Sequence, residues 1–161
     1  MNLFLKTFRN SVKEFNENNI KVIFSGRKEP LSDKVYEAMK YLEKETSNNT
    51  GGILNICLNY GGQAEIVDTT KKLVQMALNG EINIEDINEK MFSENLYNNL
   101  PPIDFMIRTS GEERISNFML YNLAYAELYF PDCYFPDFKE EEFDKAIKVY
   151  NSRDRRFGNA K

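Results

Sequence analysis

The sequence contains no histidine in 161 residues. That absence excludes Ser-His-Asp triads, Cys-His dyads and His-ligated metal sites within the chain. Any metal held here would be a hard cation on carboxylate and phosphate oxygens, which suits Mg2+. Cysteine is almost as scarce. Cys57 and Cys133 are two isolated thiols, too few for a disulfide framework, and core packing in a reducing, cytoplasmic compartment accounts for Cys57. Positive charge is also in deficit: 21 Lys plus Arg against 25 Asp plus Glu give a net charge of −4. Nucleic acid is a poor partner for such a chain, because binding it requires a basic footprint. No apolar run approaches the length of a membrane span, and Met1 opens no signal peptide. Repeats, low-complexity tracts and obvious linkers are missing too.

What is present is ordinary for a globular domain: 42% apolar and 29% charged residues, in a length that suits one domain with a real core. Residues 1 to about 18 read as a helix with Phe4, Phe8, Val12 and Phe15 on one stripe. Ile20 to Phe24 reads as a strand, with Ser25-Gly26-Arg27 leaving its carboxyl end. A second amphipathic helix follows from about Leu31 to Glu45, on Leu31, Val35, Ala38, Met39 and Leu42, and Asn48 to Gly52 stops it. Ile53 to Leu58 is apolar on both faces except at Asn55, the mark of a central parallel strand. Asn59-Tyr60-Gly61-Gly62 then turns into a helix ending near Leu78; the glycine pair reads as a tight turn in preference to a phosphate loop. Residues 84 to 97 read as another helix. The alternation predicts an α/β fold: an open, mostly parallel sheet with helices on both faces.

The chemistry concentrates in Asp104 to Phe138. Pro101-Pro102 breaks the chain before a short apolar strand, Ile103 to Ile107. Arg108 to Glu112 leaves that strand as a turn, with Gly111 permitting positive φ. Ser116 is placed as the N-cap of an aromatic helix carrying Phe118, Tyr121, Tyr125 and Leu128 at helical spacing. Two arginines, Arg108 and Arg114, beside free N–H groups at a helix start would make an anion site at the carboxyl end of a strand. The alternative for the same residues is a set of weak surface pairs in which Glu112 and Glu113 neutralise the arginines. A short strand at Leu128 to Phe130 and a final helix from Glu140 to Tyr150 complete the order. The tail then turns basic at Arg153, Arg155 and Arg156.

The segment IRTSGEERISNFMLYNLAYAELYFPDCYFPDF resembles the signature of the cis-prenyltransferases, the undecaprenyl diphosphate synthase or isoprenyl transferase family. The resemblance extends back through LNICLNYGGQAEIV (Leu54–Val67) and forward to RDRRFG (Arg153–Gly158), covering nearly the whole chain in the family's order. It implies condensation of isopentenyl diphosphate with an allylic diphosphate such as farnesyl diphosphate, with Mg2+, to a cis-polyprenyl diphosphate. Arg108, Arg114 and Ser116 match the residues that hold the isopentenyl diphosphate. Glu127 matches a carboxylate associated with Mg2+. Arg156 and Gly158 match the C-terminal Arg-x-Gly motif, which in the family reaches the partner subunit's site and so implies a homodimer. Contact with a membrane would be peripheral, through the lipid product.

The resemblance also carries a departure. An N-terminal βα segment with an Asp-Gly-Asn-Gly-Arg type loop has no counterpart here, so the expected domain is the C-terminal portion of the family's fold, truncated at its N-terminal strands. On that expectation no catalytic set is complete in this chain and the chain alone is inactive, with Phe4 and Phe8 on uncovered apolar surface. The alternative is a non-catalytic structural subunit of a heteromeric prenyltransferase. On an unbroken helix Glu127 would lie about 16 Å from Ser116, which leaves its role in one small site unexplained.

Overall fold

The computed structural model describes residues 2–154, with residues 2–6 and Arg9 as backbone alone. The chain divides into two compact units, Met1–Asn99 and Leu100–Lys161.

The first unit begins with α1 (Asn2–Glu17), β1 (Ile20–Ser25), α2 (Asp33–Glu45), β2 (Gly52–Cys57) and α3 (Gly62–Leu78). A 3-10 turn at Ile84–Asp86 and the short α4 (Glu89–Glu94) follow, where the sequence pattern predicts one continuous helix over 84–97. The break falls at Asn88, whose side chain accepts the Met91 N–H at 3.0 Å and caps α4. β1 and β2 run parallel, with Ile20 opposite Gly52 and Ser25 opposite Cys57. The core is the seam between α1, β1 and α2: Phe8, Val22, Phe24, Val35, Ala38, Met39 and Leu42 are all buried. Val35, Ala38, Met39 and Leu42 recur at the three-and-four spacing that puts them on one helix face.

Phe8 corrects one expectation. Its ring packs edge-on to Phe24 at 5.3 Å between centroids, inside this core and not on open surface. The side chain of Phe4 lies outside the described residues. Ile53 and Leu54 are 58% and 39% exposed, so the amino-terminal half of β2 is not the buried central strand its composition predicts. β1 is different. On the edge away from β2, the Val22 N–H donates to Thr46 Oγ1 at 3.0 Å, and the Phe24 N–H donates to Glu43 Oε1 at 3.0 Å. Asn98 Nδ2 donates to the Phe24 carbonyl at 2.9 Å. Side chains thus occupy positions on that edge where a further strand would bond.

The second unit holds β3 (Phe105–Ile107), β4 (Glu127–Tyr129), a 3-10 turn at Phe135–Asp137 and α5 (Glu140–Ser152). β3 and β4 are parallel, with Phe105 opposite Glu127 and Ile107 opposite Tyr129. The expected aromatic helix between them does not form. Ser116, Asn117 and Met119 have φ of 45°, 63° and 44°, and residues 116–125 are a succession of turns. A helix needs consecutive right-handed residues; Ser and Asn side chains compete for the backbone and tolerate the left-handed region. The buried positions are Met119, Asn122 and Leu123, whereas Phe118 and Tyr125 are exposed, so the stripe read from the sequence is also not the face that packs.

Candidate functional site

The site grows from the carboxyl end of β3. The Arg108 N–H donates to the Tyr129 carbonyl at 2.9 Å, continuing the β3–β4 ladder one step beyond the strands. The Ser110 N–H then donates to Cys133 O at 2.8 Å, and the Gly111 N–H to Pro131 O at 3.0 Å. Gly111 sits at φ 61°, and a Cβ there would come within 2.9 Å of Asp132 Oδ1. The loop after β3 is therefore clamped onto the segment after β4, and its positive φ favours glycine where the two approach.

The clamp presents Arg108 inward along its own loop. Arg108 Nη1 donates to Ser116 Oγ at 2.8 Å and to the Arg114 carbonyl. Arg108 and Ser116, eight residues apart in sequence, thus share one polar wall. Ile107, Met106, Ile115 and Phe118 supply the rest of a pocket of about 220 Å³. One side offers a permanent positive charge and a hydroxyl, the other hydrocarbon. That arrangement fits a small molecule with an anionic head and a short apolar body, since guanidinium forks match phosphate oxygens.

Ser116 belongs to this site, though not as a helix N-cap: its positive φ places it in a turn. Arg114 is turned aside. Its Nη1 pairs with Glu112, the surface pairing that was the alternative reading of this loop, and its side chain is 61% exposed. Glu127 is the first residue of β4, not the end of a helix, so the helical separation from Ser116 no longer applies. Its Oε2 accepts a hydrogen bond from Arg153 Nη1 at 2.6 Å. Arg156 and Gly158 lie outside the described residues.

The family model described as "Putative undecaprenyl diphosphate synthase" matches residues 1–158. The chain belongs to the undecaprenyl diphosphate synthase family. Curated members similar to it include an isoprenyl transferase of Fusobacterium nucleatum, 48% identical over 161 residues, covering 100% of this chain and 67% of that protein. Another is the farnesyl-diphosphate-specific ditrans,polycis-undecaprenyl-diphosphate synthase of Legionella pneumophila strain Philadelphia 1, 45% identical, covering 98% of this chain and 67% of its own length. The chain thus spans about two thirds of the length of these relatives. Among solved structures, lavandulyl diphosphate synthase from Lavandula x intermedia in complex with dimethylallyl diphosphate matches with a TM-score of 0.91 at 32% identity, covering 99% of this chain and 70% of that one. A probable undecaprenyl diphosphate synthase from Campylobacter jejuni matches with a TM-score of 0.85 at 28% identity, covering 98% and 72%. The α/β, parallel-strand fold is that of the cis-prenyltransferases, which are transferases.

A metal centre of the family's kind does not assemble from the described residues alone. Among them no group of three or more Asp, Glu, Cys or His side chains is placed to hold an ion. Glu127 stands as a single carboxylate with a guanidinium on one oxygen.

One polar cluster was not read from the sequence, and it belongs to the first unit. Arg27, just past the carboxyl end of β1, makes a bidentate pair with Asp68 of α3 at 2.7 and 2.8 Å. Tyr97 OH donates to the same carboxylate at 2.5 Å. The Arg27 hydrogen bonds hold Asp68 down at about 2, and Asp68 raises Arg27 in turn. Burial, then the Asp68 hydrogen bond, pushes the Tyr97 phenol up to about 12. Buried Glu65 joins from α3, accepting from the Tyr60 hydroxyl and from the Tyr97 N–H at 3.1 Å. Spacing gave no signal for Asp68, because its partners Tyr97 and Arg27 lie 29 and 41 residues away. Gly61 and Gly62 contribute no left-handed turn: Gly61 is extended at φ −155° as the N-cap of α3, and the positive φ falls on Asn59 at 51°.

Proposed function

We propose that this chain carries the isopentenyl diphosphate side of a cis-prenyltransferase site. The pocket with Arg108 and Ser116 on its polar wall and Ile107, Ile115 and Phe118 opposite is the observation that supports this reading. The diphosphate would take Arg108 and Ser116, with Arg114 swinging from Glu112 to join them, and the five-carbon body would lie on the apolar wall. In the reaction, the allylic C–O bond breaks and diphosphate leaves. The isopentenyl double bond supplies the electron pair of the new C–C bond, and a proton leaves to set the cis double bond. Positioning two substrates and stabilising the departing charge carry such a reaction. Mg2+ belongs to the reading as a cation carried on diphosphate oxygens, because the described side chains form no cage for it. A homodimer in which Arg156 and Gly158 complete the neighbour's site belongs to the proposal on the family resemblance. A cytoplasmic setting belongs to it on Cys57 and Cys133, neither of which is joined in a disulfide.

The test is calorimetric titration of the chain with isopentenyl diphosphate. Saturable binding is expected, weakened about 10- to 100-fold in Arg108→Ala by loss of a charge-assisted contact. Wild-type affinity in Arg108→Ala would remove the basis of the proposal.

A further inference from the structure

We propose that Glu112 is a positioning residue that acts through Arg114: its carboxylate holds the Arg114 guanidinium aside, and a diphosphate head must displace it to bind. The inference rests on reading the Arg108–Ser116 pocket as a diphosphate site and concerns what controls that site. The loop is built to make the pair. Ser110 and Gly111 have φ of 73° and 61°, and their N–H groups are tied to Cys133 O and Pro131 O. The chain therefore enters Glu112 from a fixed point. The Arg114 N–H donates to the Glu112 carbonyl at 2.9 Å, closing a three-residue turn. That turn keeps the two residues close, and Arg114 Nη1 meets Glu112 Oε2. The Arg114 carbonyl accepts from Arg108 Nη1. Arg114 thus gives its backbone to the polar wall of the pocket and its charge to Glu112.

A guanidinium offers the same fork to a carboxylate and to a phosphate. Glu112 therefore occupies the donors that a phosphoryl group would use. The pair is open to water, with side chains 61% and 42% exposed. An exposed pair of this kind is held only weakly, so a multiply charged ligand can replace the carboxylate. A buried pair would resist that exchange, because breaking it strands a charge away from water. The exposure that makes the contact a poor source of stability is what lets it act as a releasable hold.

The experiment is calorimetric titration of the whole chain with inorganic pyrophosphate and with isopentenyl diphosphate. Glu112→Gln is expected to bind both about two- to fivefold more tightly, the range of an exposed ion pair. The two gains should match, since the ligands share the charged head. Structural damage would lower affinity, so a gain is not its signature. In an Arg114→Gln background the gain should vanish, because Glu112 then has no guanidinium to hold. Glu113→Gln removes the same charge one residue further on and should bring no comparable gain. Unchanged or weaker binding in Glu112→Gln would overturn the inference. An equal gain in the Arg114→Gln background or in Glu113→Gln would do so as well, since it would report general repulsion of the anion. Binding that falls in Arg108→Ala but does not respond to Glu112→Gln would leave the pocket reading standing and remove this one. Absence of saturable binding in both wild type and Glu112→Gln would remove both.

Discussion

Gly111 shows how much one residue settles. Its φ of 61° and its approach to Asp132 are what let the loop after β3 close onto Pro131. Gly111→Ala would drive a Cβ to 2.9 Å from Asp132 Oδ1 in a backbone region that costs an L-residue about 1–2 kcal/mol. The strain falls on the loop that carries Arg108. The expected outcome is a larger loss of isopentenyl diphosphate affinity than of thermal stability, read by calorimetry and by thermal unfolding of the same variant. Equal affinity with an unchanged Tm would show that the loop does not need the clamp. The sequence marked Gly111 as the residue for positive φ; the neighbour it approaches, Asp132, came only from the fold.

Among the elements, β1 depends on its neighbour in an unusual way. Thr46, fully buried, accepts the Val22 N–H at 3.0 Å and donates to the Leu42 carbonyl at 2.8 Å. A helix C-cap residue thus satisfies a strand edge. Thr46→Val keeps the shape and removes the hydroxyl, leaving a buried N–H without its partner. The expected cost is about 1–3 kcal/mol in denaturant unfolding, with Thr46→Ser recovering most of it. A Thr46→Val chain as stable as wild type would mean that water reaches the Val22 amide. The segment between β3 and β4 teaches the opposite lesson about elements. Phe118, Tyr121, Tyr125 and Leu128 have helical spacing, yet the chain there turns, because Ser116, Asn117 and Met119 are left-handed. Periodicity reports which residues are apolar; it does not report whether the backbone between them can stay right-handed.

At the scale of the whole molecule, stability should depend on pH at both extremes through the Arg27–Asp68–Tyr97 cluster. Asp68 is held at about 2, below the usual carboxylate value near 4. Its contribution is complete above about pH 4 and is lost as pH falls toward about 2. Tyr97, raised to about 12, works in the other direction: its contribution is present below about pH 10 and is lost as pH climbs toward 12. Urea midpoints measured across pH should fall in both windows. Asp68→Asn should flatten the acid limb, and an unaltered acid limb in that variant would separate the cluster from acid unfolding. The sequence by itself determined the order of the four strands with α1, α2, α3 and α5, the apolar faces of α1 and α2, the family signature and the nearness of Arg108 and Ser116 after β3. These follow from local spacing and from residue chemistry that travels with the sequence. The tertiary structure alone decided that Phe8 is core, that Arg114 pairs with Glu112, that Arg27 meets Asp68 and Tyr97, and that Glu127 meets Arg153. Those partners are set by which rungs and helix ends the packing brings together and by the left-handed turns after Ile115, and neither quantity is periodic in the sequence.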